Sequence, residues 1–278
     1  MRRLPLHTRG STRRVLALAL VGLVAAGCSS SPSDPATSAS ESGTTSSSAS
    51  SAPTSPHTWS IVALGDSVPF GTNCGCTPYP ELTGKDLAAP PERAVTVAND
   101  AVGGYTTNNV LAQLKSDPVV IDKVRTSDVV EIEIGANDVA YSGSCGTSVS
   151  CYQPTISVVE KTLAAIVARV HELTAGHQVL VVLLDYWSVW LGGQYATAQG
   201  DAYVTAAADV TNQVNTVIKS TASTTNSAYV DLRDAFKGPD YTYDETHYLA
   251  TDGDHPNAAG HQQIAAATVT VIKTVLHI

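Results

Sequence analysis

The stretch Trp59-Ser60-Ile61-Val62-Ala63-Leu64-Gly65-Asp66-Ser67 decides the fold. Its apolar run of strand length is stopped by a glycine, which is how a strand buried on both faces reads. The glycine permits a turn that other residues resist, and the serine then sits where the chain swings towards a helix. Further along, Ala94–Ala98, Val129–Ile134, Val179–Leu184 and Ala228–Leu232 repeat the short, Val- and Ile-rich pattern. Helical spacing intervenes. Ile156, Val159, Leu163, Ile166, Val170 and Leu173 recur at threes and fours ahead of Gly176, as do Tyr203, Ala207, Val210, Val214 and Val217. A last helix is predicted from about Asn257 to Val275, with Ile264, Val271 and Val275 on one stripe. Strands alternating with helices imply crossovers and a parallel sheet covered on both faces. The prediction is one three-layer α/β/α domain with a five-stranded parallel sheet, over residues 58–278.

The amino-terminal part is of another kind. Residues 1–27 hold five Arg and no acid, with an apolar run from Val15 to Ala26, which is too short to span a bilayer. These are the features of an export signal. Ala25-Ala26-Gly27-Cys28 resembles a bacterial lipobox, so Cys28 is the expected lipidation site and mature N-terminus. Residues 28–57 then form a tether: positions 29–56 contain 13 Ser, 4 Thr, 4 Pro and 4 Ala. Such a composition cannot bury enough apolar surface to offset its ordering entropy. The expectation is a domain exported and held by lipid on the outer face of the cell membrane, or released from it.

The whole chain has 278 residues, 16 Lys+Arg and 25 Asp+Glu, a net charge of −9. Most of its Lys and Arg are scattered and no basic cluster follows the leader, which excludes a phosphate-backbone partner such as nucleic acid. Besides Cys28 there are Cys74, Cys76, Cys145 and Cys151. In an exported chain an even set reads as two disulfides. Cys145 with Cys151 closes a local loop and leaves Cys74 with Cys76. A four-thiolate zinc site is the competing reading, but neither C-G-C nor C-x5-C has the usual ligand spacing. No H-x-x-x-H or H-E-x-x-H pattern occurs, and no P-loop, so no metal or cofactor is implied.

In open parallel sheets the ligand site lies beyond the carboxyl ends of the strands. Four such ends carry polar residues: Gly65-Asp66-Ser67; Asn99 with Gly103-Gly104; Gly135-Ala-Asn137-Asp138; and, before the last helix, Asp252-Gly-Asp254-His255-Pro256. Together they supply a hydroxyl, an imidazole with carboxylates beside it, a backbone N–H free to donate and a carboxamide. Acyl transfer needs these parts. A serine hydroxyl is a weak nucleophile until a neighbouring imidazole takes its proton, a carboxylate holds that imidazole in the right tautomer, and fixed donors meet the oxyanion.

In order and spacing, G-D-S, N-x4-G-Y-T, G-A-N-D and D-x-x-H-P resemble the four sequence blocks of the SGNH (GDSL) esterase/lipase family across residues 58–278. The resemblance implies a flavodoxin-like α/β/α fold, with Ser67 as the nucleophile, His255 the general base and Asp252 its orienting carboxylate. The oxyanion hole would comprise the Ser67 N–H, the Gly104 N–H and the Asn137 side chain. Gly103 remains an alternative donor and Asp254 an alternative carboxylate. Asp66 and Asp138 are read as supports of their turns, His247 and His261 as exposed or structural. Tyr186-Trp187-Ser188-Val189-Trp190-Leu191 has two readings, a wall for an acyl chain or sugar ring, or a loop packed on the core. The partner implied is a small-molecule, lipid or sugar ester, taken by a monomer. The activity expected is ester hydrolysis, with acyl transfer to a cell-envelope acceptor, or ligand binding without catalysis, as alternatives.

Overall fold

The computed structural model describes residues 57–89 and 93–278. The export signal, Cys28 and nearly all of the tether lie outside the described residues. Five strands form one all-parallel sheet: β1 (Trp59–Gly65), β2 (Val95–Asn99), β3 (Val129–Glu133), β4 (Leu180–Leu184) and β5 (Ala228–Val230), in the spatial order β2-β1-β3-β4-β5. That is the order of a flavodoxin-like sheet, the fold that the family resemblance implies. Each strand falls within a residue or two of its predicted run.

Helices cover both faces. On one lie α2 (Tyr79–Ala88), α8 (Leu232–Lys237) and α9 (Ala258–Leu276). On the other lie α3 (Thr107–Ser116), α4 (Pro118–Arg125), α5 (Gln153–Leu173) and α7 (Asp201–Thr225). Two short pieces, α1 (Ser67–Phe70) and α6 (Gly193–Thr197), sit at the carboxyl edge of the sheet. Asn257 caps α9, its side chain accepting from the N–H groups of Ala259 and Gly260, as the P-N start predicts. The stripe foreseen on that helix is only partly right. Ile264 is buried, but the core face continues through His261, Ala265, Thr268, Val269 and Ile272, and Val275 is exposed. The small residues of this helix let it seat closely, so its buried face does not coincide with its bulkiest residues.

Strand β3 carries a surprise. Glu131 and Glu133 alternate onto one face and both are fully buried, and their carboxyl oxygens have no hydrogen-bond partner among the described residues. Glu133 lies beside the Tyr79 phenol of α2, although no hydrogen bond of ordinary geometry joins them. Burial pushes both carboxyls well above the ordinary carboxylate range. Both predicted disulfides are present, Cys74–Cys76 and Cys145–Cys151, with Cα separations of 5.0 and 5.6 Å.

Candidate active site

The carboxyl ends of β1 and β3 are neighbours, and the chain leaves them in opposite directions along the sheet, which opens a crevice. The first side of the site is built by the turn after β1. Gly65 has φ +151°, and a Cβ there would lie 2.1 Å from the Glu133 carbonyl oxygen. Only glycine lets β1 end that close to β3. Asp66 then caps α1, accepting from Val68 N–H at 3.0 Å, while its other oxygen accepts from the Tyr186 hydroxyl at 2.7 Å. Burial is the main influence on this carboxyl, and it raises the group to about 6 against the lowering effect of the Tyr186 and Val68 hydrogen bonds. Ser67 is thereby fixed as the first residue of α1, half-buried.

The turn after β2 runs Val102-Gly103-Gly104-Tyr105 and is closed by Tyr105 N–H donating to Val102 O at 3.1 Å. Gly104, at φ +82°, occupies the turn position that demands the left-handed region. Neither its N–H nor that of Ser67 donates to a protein acceptor among the described residues. After β3, Asn137 Nδ2 donates to Tyr105 O at 2.9 Å, which orients the carboxamide. Asp138 accepts from Thr107 N–H and hydroxyl at 2.9 and 2.7 Å, tying this turn to α3.

The fourth side precedes α9. His255 Nδ1 is 2.8 Å from Asp252 Oδ2, and Asp252 Oδ1 accepts from the N–H groups of Asp254 and His255, both at 3.0 Å. Asp252 is thus the carboxylate on the imidazole. Asp254 makes no such contact. Burial alone would raise the Asp252 carboxyl, but its hydrogen bonds from Asn73, the two N–H groups and His255 prevail and hold it at about 2. With a carboxylate at Nδ1, the ring proton belongs there and Nε2 is left as the basic nitrogen.

Ser67, Asn137 and His255 line one cavity of about 50 Å3 with Val68, Ala136 and Trp187 among its walls. No hydrogen bond joins Ser67 Oγ to His255 among the described residues; the ring's hydrogen bond is to Asp252. The aromatic stretch after β4 is mainly core. Tyr186, Trp187, Val189 and Trp190 are buried, and Trp190 packs between Tyr141, Tyr152 and Tyr203 while donating to Val139 O at 2.8 Å. Trp187 and Ser188 also border a larger cavity of about 520 Å3, with Gln194, Thr197, Tyr241 and Tyr243 in its lining. His261 is structural, its Nδ1 accepting from Tyr79 N–H, and His247 is exposed. Asn73, which reaches Asp252, was not singled out by any motif; it is separated from the G-D-S block by an ordinary-looking loop.

A family model described as GDSL-like lipase/acylhydrolase matches residues 63–263. The chain belongs to that family. It is a serine hydrolase of carboxylic esters. Among solved structures, the lipase Lip_vut3 from goat rumen metagenome is similar with a TM-score of 0.60 at 20% identity, over 77% of this chain and 97% of that one. The acetylxylan esterase Axe2 of Geobacillus stearothermophilus is similar with a TM-score of 0.56 at 24% identity, over 78% and 95%. Both share the fold. No curated protein matches.

Proposed function

We propose that this GDSL-family domain cleaves short-chain esters of sugar-like alcohols through a covalent acyl-enzyme on Ser67, at the outer face of the membrane to which Cys28 is lipid-anchored. The observation that carries the mechanism is the 2.8 Å His255–Asp252 hydrogen bond beside Ser67 on one cavity. Asp252 keeps the His255 proton on Nδ1, so Nε2 takes the proton of Ser67 Oγ as the oxygen attacks the ester carbonyl. The oxyanion forms against the N–H groups of Ser67 and Gly104 and the Asn137 carboxamide. Collapse expels the alcohol, which receives its proton from His255. Water then repeats the sequence on the acyl-enzyme and releases the acid. Three solved structures of Axe2 are described as catalytic mutants, replacing a serine, a histidine and the aspartate three residues before that histidine. The Asp252–His255 spacing is the same.

The cavity beside Ser67 is small, about 50 Å3, which favours acetyl and similarly short acyl groups. The larger cavity beyond Trp187 and Ser188 falls within the ~300–1,000 Å3 range of small-molecule sites, and its aromatic, hydroxyl and amide lining suits a sugar. The test uses residues 57–278 with p-nitrophenyl esters of increasing chain length. Acetate should be turned over far faster than octanoate, and Ser67→Ala should lower kcat by roughly 10^4 or more. Equal turnover by the two proteins would sink the mechanism; an octanoate preference would sink the short-acyl assignment alone.

A further inference from the structure

The two oxygens of Asp252 receive four donors, and one of them comes from outside the D-x-x-H segment. Asn73 Nδ2 donates to Oδ2, the same oxygen that faces His255 Nδ1. Asn73 lies on the turn that leaves the nucleophile. Gly71 N–H donates to Val68 O and Thr72 N–H to Ser67 O, both at 3.0 Å, and Cys74 N–H donates to Gly71 O at 3.3 Å. Within five positions the backbone visits the left-handed region three times, at Gly71 (φ +84°), Asn73 (φ +58°) and Gly75 (φ +59°). Asn is one of the few side-chain-bearing residues that tolerates this. Immediately beyond, the Cys74–Cys76 disulfide closes the turn on itself. The sulfur atoms and a ring nitrogen of the buried His261 on α9 lie within 4.8 Å of one another. The turn is therefore bound at one end to the Ser67 helix and rests at the other against α9, the helix that follows His255. The disulfide does not line the cavity beside Ser67; what it borders is the residue that touches Asp252.

We propose that Asn73 is a positioning residue for the catalytic carboxylate, and that the Cys74–Cys76 disulfide holds it in place. The proposal rests on the Ser67–His255–Asp252 reading above. His255 Nδ1 can bind Asp252 Oδ2 in the productive orientation only if that carboxylate does not swivel. The two backbone N–H groups pin Oδ1, and Asn73 pins Oδ2. Because the donor belongs to the loop that follows Ser67, it also ties the nucleophile side of the crevice to the base side. An Asn amide does this without adding charge, so the carboxylate keeps its full effect on the imidazole.

The experiment compares the wild type with Asn73→Gly, Asn73→Asp and Cys74→Ser/Cys76→Ser. Glycine adopts φ +58° without strain and removes only the donor, so folding should be preserved, as checked by thermal melting. Its kcat should fall about tenfold, the scale of one hydrogen bond to a charged group, with KM unchanged. Asn73→Asp sets a second carboxylate against Asp252 and favours protonated His255, so the acid limb of its kcat/KM profile should move to higher pH. The double serine variant should reproduce the kcat loss of Asn73→Gly. Wild-type kcat in Asn73→Gly, or an unmoved profile in Asn73→Asp, would overturn the proposal while leaving the triad intact. A wild type without Ser67-dependent hydrolysis would overturn the triad reading instead, and this inference with it.

Discussion

Asp66 couples Ser67 to the interior of the protein. Its Oδ1 caps the short helix that begins at Ser67, and its Oδ2 takes the Tyr186 hydroxyl. It is buried, and Asp254 and His255 are the other charged or titratable groups whose fields it feels from the crevice, one raising and one lowering it. Burial lifts its carboxyl from 3.8 to about 6. The folded chain therefore keeps a proton that the unfolded chain has lost. Between pH 4 and 6 unfolding releases that proton, so this group's contribution is present below about pH 4 and is lost as pH rises to about 6. The loss is about 3 kcal/mol at most, from roughly two pH units at 1.4 kcal/mol each. Asp66→Asn cannot titrate and should flatten the fall in Tm over that interval, measured by calorimetry from pH 4 to 8. An unchanged slope would remove Asp66 from the account. Asp185, raised to about 7 by burial, adds a fall of the same sign at slightly higher pH.

Among elements, the β1–α1 and β2–α3 turns show why two glycines have unequal weight. A Cβ at Gly65 would meet the Glu133 carbonyl oxygen at 2.1 Å, a backbone atom that cannot step aside without parting β1 from β3. A Cβ at Gly104 would meet nothing within 4 Å, leaving only the cost of its φ of +82°. Gly65→Ala should therefore destabilise by roughly 3 kcal/mol or more, and Gly104→Ala by about 1 kcal/mol. Urea melts of the two variants check the order. The strands were legible because apolar runs between turn residues are a local pattern, and so were α5, α7 and the start of α9. What stayed hidden depends on neighbours. Two acids inside β3 do not say which face they occupy or that α2 covers them. Small residues on α9 bury by close approach, so bulk misled the choice of Val275. The short helices α2, α3, α4 and α8 lack the repeats that make a long helix evident.

Over the whole molecule, the β2-β1-β3-β4-β5 order brings Ser67 from the front of the domain and His255 from its end to one crevice. Three of the four motifs could be read in advance because each follows a strand whose direction the parallel sheet fixes, and the fourth because it directly precedes α9. Asn73 could not, because its role arises only when the turn after β1 meets the loop before α9, 179 residues later. Asp252, rather than the adjacent Asp254, is the partner of His255. The most direct test of the central claim is intact-protein mass spectrometry of residues 57–278 quenched with acid during turnover of p-nitrophenyl acetate, followed by peptide mapping. The account predicts a single acetyl adduct on Ser67, absent from Ser67→Ala and accumulating when deacylation is slowed. Full turnover with Ser67 unmodified throughout, or with the acetyl group on another side chain, would contradict it.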